Sequence, residues 1–241
     1  MAIKQSLKDL ARRCGLEINR YGASASSEAR FFKVIETHRI DTVIDVGAND
    51  GGYGQLLRRG GYKGAIVSFE PLQDEHARLL AAAKGDAQWF VAPRMALGDE
   101  NREVEINVAG NSCSSSILPM NQRHELAAPQ SRYVAVQRVP MRRLDEVTHP
   151  AIEKNRSILL KIDTQGFEMP VLNGADRLLN AITGLQLELS VTQLYDGQVL
   201  YLDMIHSLQR RGFELWGVIP GFVEHATGRL LQFDGVFFRS K

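Results

Sequence analysis

Three acids in this chain stand where apolar runs end. Asp45 lies in Thr42-Val-Ile-Asp-Val46, Glu70 follows Ala65-Ile-Val-Ser-Phe69, and Asp163 follows Ser157-Ile-Leu-Leu-Lys-Ile162. Runs rich in β-formers and lacking alternation read as parallel strands covered on both faces, and the carboxyl ends of such strands gather along one edge where ligands bind. The first run leads into Gly47-Ala48-Asn49-Asp50-Gly51-Gly52-Tyr53-Gly54, with four glycines in eight positions. That density brings bare backbone against a ligand, and the charges say which kind. A pyrophosphate loop offers N–H groups to an anion and tolerates no carboxylate close by. This loop carries Asp45 and Asp50 and does not follow G-x-G-x-x-G. Acids beside free N–H groups suit a ligand with an ammonium, a carboxylate and a sulfonium, and S-adenosylmethionine is such a ligand. Glu70 lies 25 positions after Asp45 (70 minus 45), near the ~20-residue offset at which nucleotide-binding βαβ units set an acid on ribose hydroxyls. One acid is expected on the ribose and the other on the amino acid. Asn49 stands where a third glycine often stands, and asparagine enters positive φ at modest cost.

The elements that position these residues are legible in outline. An amphipathic helix is expected from about Ala2 to Cys14, its stripe made by Ile3, Leu7, Leu10, Ala11 and Cys14, and Ser24 to Ser27 cap a second helix from Glu28 to Thr37. Helices are expected next over Tyr53 to Arg59 and Leu72 to Lys84, and Gln88 to Ala92 is the third strand. The residues after that strand would wall an adenine, so Pro71 and the stretch Arg94, Met95, Ala96 and Leu97 are candidates for cofactor contact. Strands with alternating pattern are expected over Glu103 to Val108 and Tyr133 to Val139. Between them Gly110 to Ile117 reads as a flexible loop at the site mouth, with Ser114, Ser115 and Ser116 able to bond substrate oxygens. After Asp163 a helix is expected from Glu168 to about Asn180, then a fifth strand over Leu185 to Ser190, a helix from Tyr201 to Arg211, and strands over Phe213 to Ile219 and Gln232 to Arg239 closing the sheet antiparallel. The expected architecture is therefore α/β: a doubly wound, mostly parallel sheet with an antiparallel C-terminal strand pair. Residues 41–241 form the cofactor-binding domain, and residues 1–40 an N-terminal helical extension.

Val43-Ile-Asp-Val-Gly-Ala-Asn-Asp-Gly51, Ser68-Phe-Glu-Pro71 and Leu160-Lys-Ile-Asp-Thr-Gln-Gly-Phe-Glu168 resemble, in order and spacing, the three signatures of the FkbM-type methyltransferases. The resemblance runs from about Thr42 to Phe238. It implies a class I S-adenosylmethionine-dependent enzyme with a seven-stranded sheet, acting on a hydroxyl of a sugar, glycolipid or other secondary metabolite. One departure is plain: where the family commonly carries Asp-Val-Glu-Gly-x-Glu, this chain reads Asp163-Thr164-Gln165-Gly166-Phe167-Glu168.

Methyl transfer to an alcohol wants a base. Asp163 is the first candidate, because the end of its strand faces the reacting methyl group, with Glu168 and His225 in reserve. Lys161 and Glu188 are charges inside apolar strands and buried charges usually pair, so a Lys161–Glu188 pair is expected, or else a Glu188 that faces the substrate. Asp163 with Glu188 could also be two ligands of a magnesium ion, although two carboxylates do not make a site. The six histidines show no metal-ligand spacing.

Composition narrows the classes. In 241 residues, 44% hydrophobic and 24% charged content describe one ordinary globular domain with appendages. A formal net charge of +1 and the lack of a basic stripe argue against nucleic acid as a partner. Two cysteines, Cys14 and Cys113, form no framework and read as free thiols of a cytoplasmic protein. No apolar stretch approaches a membrane span, while the first helix could touch a membrane surface or, with the antiparallel sheet edge, serve a homodimer. Two other readings stand beside methyl transfer: a nicotinamide oxidoreductase on a related sheet, disfavoured by Asp50, and a non-catalytic S-adenosylmethionine-binding protein.

Overall fold

The computed structural model describes residues 2–18, 21–147, 149–153 and 157–239. In chain order the strands are β1 (Thr42–Val46), β2 (Ala65–Phe69), β3 (Trp89–Val91), β4 (Ala96–Leu97), β5 (Arg102–Ala109), β6 (Tyr133–Arg142), β7 (Ile158–Ile162), β8 (Ile182–Ser190), β9 (Phe213–Pro220), β10 (Val223–Glu224), β11 (Arg229–Leu230) and β12 (Gln232–Arg239). The helices are α1 (Ala2–Arg13), α2 (Ser27–Thr37), α3 (Gly52–Arg59), α4 (Gln73–Ala83), α5 (Gln122–Ala127), α6 (Pro150–Glu153), α7 (Glu168–Asn173) and α8 (Tyr201–Arg210).

Seven strands form one sheet in the order β3-β2-β1-β7-β8-β12-β9. The five from β3 to β8 run parallel, and β12 pairs antiparallel with both β8 and β9. Chain order reverses between β1 and β7, which opens the crevice where a doubly wound sheet binds its ligand. Every residue of β1, β2 and β7 is buried, as continuous apolar runs require. One face carries Val43, Ile66 and Leu159 under α2, α3 and α4, and the other carries Ile44, Val67, Leu160 and Ile162 under α7 and α8. Phe31 and Ile35 of α2 are buried in the first of these cores. Ser26 caps α2 by accepting from Ala29 N. The side chains of Ile3 and Leu7 in the expected stripe lie outside the described residues; of the rest, Ala11 is buried and Leu10 exposed.

Two expectations change. The alternating strands are longer than expected and form a separate sheet, β4-β6-β5, whose inner residues Val104, Ile106, Val139 and Met141 close over the edge of the main core. The helix expected to reach Asn180 stops at Asn173. At Gly174 a Cβ would sit 1.8 Å from Gly98 O, and beyond it Asp145 accepts from Arg177 N and Leu178 N, so the chain turns there instead of continuing as helix.

Candidate functional site

A cavity opens at the carboxyl ends of β1, β2 and β7, walled on its far side by β4 and β5 and by the loop after β5. Gly47, Asn49, Glu70, Pro71, Met95, Ala96, Leu97, Ser115, Ser116 and Asp163 of the expected site residues line it. Arg94 turns away and donates to Pro71 O.

The glycine loop is shaped by contacts that admit no side chain. Gly47 has φ +74°, and a Cβ there would meet Asp163 O at 1.9 Å, so the loop lies directly on the end of β7. Asn49 takes φ +47°, the left-handed conformation expected of it. Its N–H donates to Glu70 Oε2 at 2.8 Å, while Glu70 Oε1 accepts from Leu72 N at 2.8 Å. Burial pushes the Glu70 carboxyl up to about 7 against the pull of those two N–H groups. A carboxylate tied to the backbone of two loops has a fixed direction, which is what recognition of a diol needs.

Five residues expected at the cofactor do not reach the cavity. Asp45 is wholly buried beneath the loop. Lys161 Nζ lies 3.2 Å from its Oδ1, a close ion contact without hydrogen-bond alignment, and Ser68 Oγ donates to its Oδ2 at 3.3 Å. Asp50 faces solvent and accepts from Gly52 N at 3.1 Å, a local turn bond that an aspartate makes readily with the backbone two residues on. Ala48 is buried, its N–H donating to Phe69 O. Gly51 packs against Leu79, Ala82 and Trp89. Tyr53 points to the opposite face of the sheet, where its hydroxyl donates to Gln186 Oε1 at 2.7 Å and its ring lies 5.3 Å from Lys161 Nζ.

The expected Lys161–Glu188 pair is not formed. Lys161 pairs with Asp45, approaches Asp163 Oδ2 at 3.6 Å and donates to Gly47 O at 3.0 Å. Register explains it: Lys161 stands level with Asp45 on β1 and with Gln186 on β8, two residues short of Glu188. Burial works against the Lys161 charge, but Asp45 and Asp163 outweigh it and hold the ammonium protonated. Glu188 receives amides instead, from Gln165 Nε2 at 2.7 Å and Gln232 Nε2 at 2.7 Å. Burial and then the neighbouring Asp163, Glu168 and Asp234 push its carboxyl well above the usual range.

Asp163 lines the cavity with its side chain 38% exposed, and Gln165 Nε2 donates to its Oδ1 at 2.8 Å. The reserves are not so placed. Glu168 is buried, and its Oε1 accepts from Thr164 N, Thr164 Oγ1 and Gly166 N, so it caps the turn that carries Asp163. His225 is exposed in the turn between β10 and β11, away from the cavity.

The serine loop is tied down by its own hydrogen bonds. Ser114 is buried, its Oγ accepting from Asn111 Nδ2, and it does not line the cavity. Ser115 Oγ accepts from Ala109 N, and Ser116 Oγ donates to Gln165 O while accepting from Leu118 N. A polar segment can be buried once its hydroxyls find backbone partners. Sequence reasoning missed Ser112, Cys113, Ile106, Ile117, Gln165 and Phe167 in the cavity wall. Ile106 had a signal as an inward position of an alternating strand, Ser112, Cys113 and Ile117 as members of the loop expected at the site mouth, and Gln165 and Phe167 as members of the third motif. Among the described residues no three His, Cys, Asp or Glu side chains group as a metal site. The amide nitrogen of Gln165 stands between Asp163 and Glu188 and offers hydrogens rather than a lone pair, so this donor set does not fit a magnesium ion.

The cavity does fit S-adenosylmethionine. A glycine cradle, a directed acid at Glu70 and an apolar wall of Phe69, Leu72, Met95, Ala96 and Leu97 suit a ribose and an adenine, with the Asp163 carboxylate open to the same continuous space. The structure is similar to magnesium protoporphyrin IX methyltransferase from Synechocystis PCC 6803, with 10% identity over 88% of this chain and 76% of that one and a TM-score of 0.47. It is also similar to a SAM-dependent methyltransferase from Aquifex aeolicus, with 14% identity over 86% and 88% and a TM-score of 0.42. A third likeness is to mitomycin 7-O-methyltransferase, with 10% identity over 89% and 54% and a TM-score of 0.44. No curated protein matches the chain. Residues 45–215 match the model of the methyltransferase FkbM domain, which takes in the glycine loop, Glu70, Asp163, β8 and the first residues of β9. The chain belongs to the FkbM family and is an S-adenosylmethionine-dependent methyltransferase.

Proposed function

We propose that the enzyme methylates a hydroxyl oxygen of a sugar, glycolipid or related secondary-metabolite acceptor. The observation that supports this is Asp163: a carboxylate at the end of β7, open to the cavity and oriented by a hydrogen bond to one of its oxygens. S-adenosylmethionine, when bound, supplies an electrophilic methyl group on a positively charged sulfur. The remaining work belongs to the chain. Glu70, fixed by Asn49 and Leu72, holds the ribose, and Met95 to Leu97 with Phe69 wall the adenine. Gly47 lets the loop close on β7, so the wall is continuous and water is displaced as the cavity fills. Alignment of two reactants in such a space supplies up to ~7–11 kcal/mol of the barrier reduction. An alcohol keeps its proton at neutral pH, so Asp163 takes that proton as the new bond forms, a contribution of about 10²–10⁴-fold.

The acceptor is a small molecule or glycan, and the setting a reducing cytoplasm, which suits the free thiols of Cys14 and Cys113. No helix among the described residues is long and apolar enough to cross a membrane.

The test is calorimetric titration with S-adenosylmethionine and S-adenosylhomocysteine, followed by mass spectrometry of hydroxylated acceptors incubated with and without magnesium. Binding and formation of a methyl ether support the reading. Methylation at nitrogen or carbon alone, or no cofactor binding at millimolar ligand, overturns it.

A further inference from the structure

Gln165, the departure from the family pattern, makes hydrogen bonds through every polar atom of its side chain and through its carbonyl. Its backbone takes φ +54°, in the left-handed region. Its carbonyl accepts from Ser116 Oγ at 2.7 Å. Its Oε1 accepts at 2.7 Å from the hydroxyl of Tyr195, a side chain with no exposure to solvent. Its Nε2 donates at 2.8 Å to Asp163 Oδ1 and at 2.7 Å to Glu188 Oε2. An amide nitrogen has two hydrogens, and each has its own carboxylate. The Tyr195 hydroxyl also lies 3.0 Å from Ser114 O, so its one hydrogen has two acceptors within reach, and it is the two acids that favour an amide nitrogen over an oxygen at this place.

Asp163 and Glu188 each follow the last register pair, Ile162 and Leu187, of the neighbouring parallel strands β7 and β8. Two acids that receive the same amide repel when both are ionised, and the usual remedies are a proton on one of them or a divalent cation between them. We propose that Gln165 is the positioning residue of this site: its NH₂ group bridges Asp163 and Glu188, fills the place between them that a cation would need, and presents Asp163 to the cavity in one orientation. Oδ1 of Asp163 is engaged by the amide, which leaves Oδ2, 3.6 Å from Lys161 Nζ, for the acceptor hydroxyl. The role of Asp163 as the base rests on the proposed function; the bridge itself does not.

The test uses the full chain and manganese as the probe, read by the loss of its free-ion electron paramagnetic resonance signal. In Q165E a third carboxylate enters the gap. The expected result is manganese binding at least about tenfold tighter than in the wild type, as a further oxygen ligand brings, and lost again in Q165E/E188Q. A wild type that binds manganese as tightly as Q165E, with the affinity lost in E188Q, overturns the proposal, as does a folded Q165E with no gain. Should Q165E fail to fold, the side-chain NH₂ resonances of Gln165 in ¹⁵N-labelled wild type decide. Both protons are expected downfield and slow to exchange, one moving in D163N and the other in E188Q; resonances unmoved by either variant overturn the bridge. S-adenosylmethionine calorimetry on the same preparation reports on the proposed function separately, so failure of one is not mistaken for failure of the other.

Discussion

Lys161 and Asp45 meet 3.2 Å apart inside the sheet, with side chains 8% and 0% exposed, directly beneath the loop that lines the cofactor cavity. The ammonium also donates to Gly47 O, so the pair anchors the loop from below. Removing one partner of a buried pair leaves the other uncompensated, which costs about 3–5 kcal/mol, whereas replacing both by apolar groups is often near neutral. Lys161→Met is therefore expected to lower stability by about that amount in urea denaturation, and Lys161→Met combined with Asp45→Leu to recover most of it. A double variant no more stable than the single one would show that the two charges do not act as a pair.

Gly47 tests the closeness of loop and strand. Alanine there would place a Cβ 1.9 Å from the Asp163 carbonyl oxygen at φ +74°, a conformation already unfavourable for L-residues. Gly47→Ala is expected to lose at least about 2 kcal/mol of stability. It should also weaken S-adenosylhomocysteine binding by more than about tenfold, since the carbonyl that moves is that of Asp163. Calorimetry and thermal melting on one sample read both effects.

The buried acids give the apo protein a pH dependence of definite sign. Burial raises Glu70 and Glu168 from 4.5 to about 7 and Asp234 from 3.8 to about 6. For such groups the unfolded chain releases its proton first. Their stabilising contribution is thus complete below the unfolded value and disappears as pH rises through the folded one. Stability is expected to fall between about pH 4.5 and 7, and Glu70→Gln to remove up to about 3 kcal/mol of that fall. Buried His124 runs the other way: burial lowers it from 6.5 to about 4, so its contribution is lost as pH falls across that range. Denaturant midpoints of wild type and Glu70→Gln at pH 5, 6, 7 and 8 check the slope; parallel curves would sink it.

Asp163 and His225 separate the candidate bases. Asp163→Asn keeps the shape and an acceptor oxygen but cannot take a proton, so methyl transfer is expected to fall by about 10²–10⁴-fold with S-adenosylhomocysteine affinity within a few-fold of wild type. His225→Ala, altering an exposed turn, is expected to leave transfer unchanged. Initial rates with an acceptor from the screen decide between them, and equal losses in both variants would remove Asp163 from the role of base.

Much of this molecule is written locally. Val43 to Val46 and Ile158 to Ile162 are unbroken apolar runs because strands buried on both faces have no polar side to show, and the sheet is their consequence. The positive φ of Asn49 and the acids at Glu70 and Asp163 also come from residue type and position along the chain, since turns and strand ends are made by near neighbours. What only the tertiary structure decided is who meets whom. Lys161 pairs with Asp45 because register sets them level on β7 and β1, and the Tyr53 hydroxyl donates to Gln186, 133 positions away in the chain. Gln165 bridges Asp163 and Glu188 because β8 and the serine loop, 23 and 49 positions away in the chain, arrive on either side of it. A buried polar group takes whichever partner the packed elements bring within about 3 Å, and that distance is a property of the folded sheet rather than of any stretch of sequence.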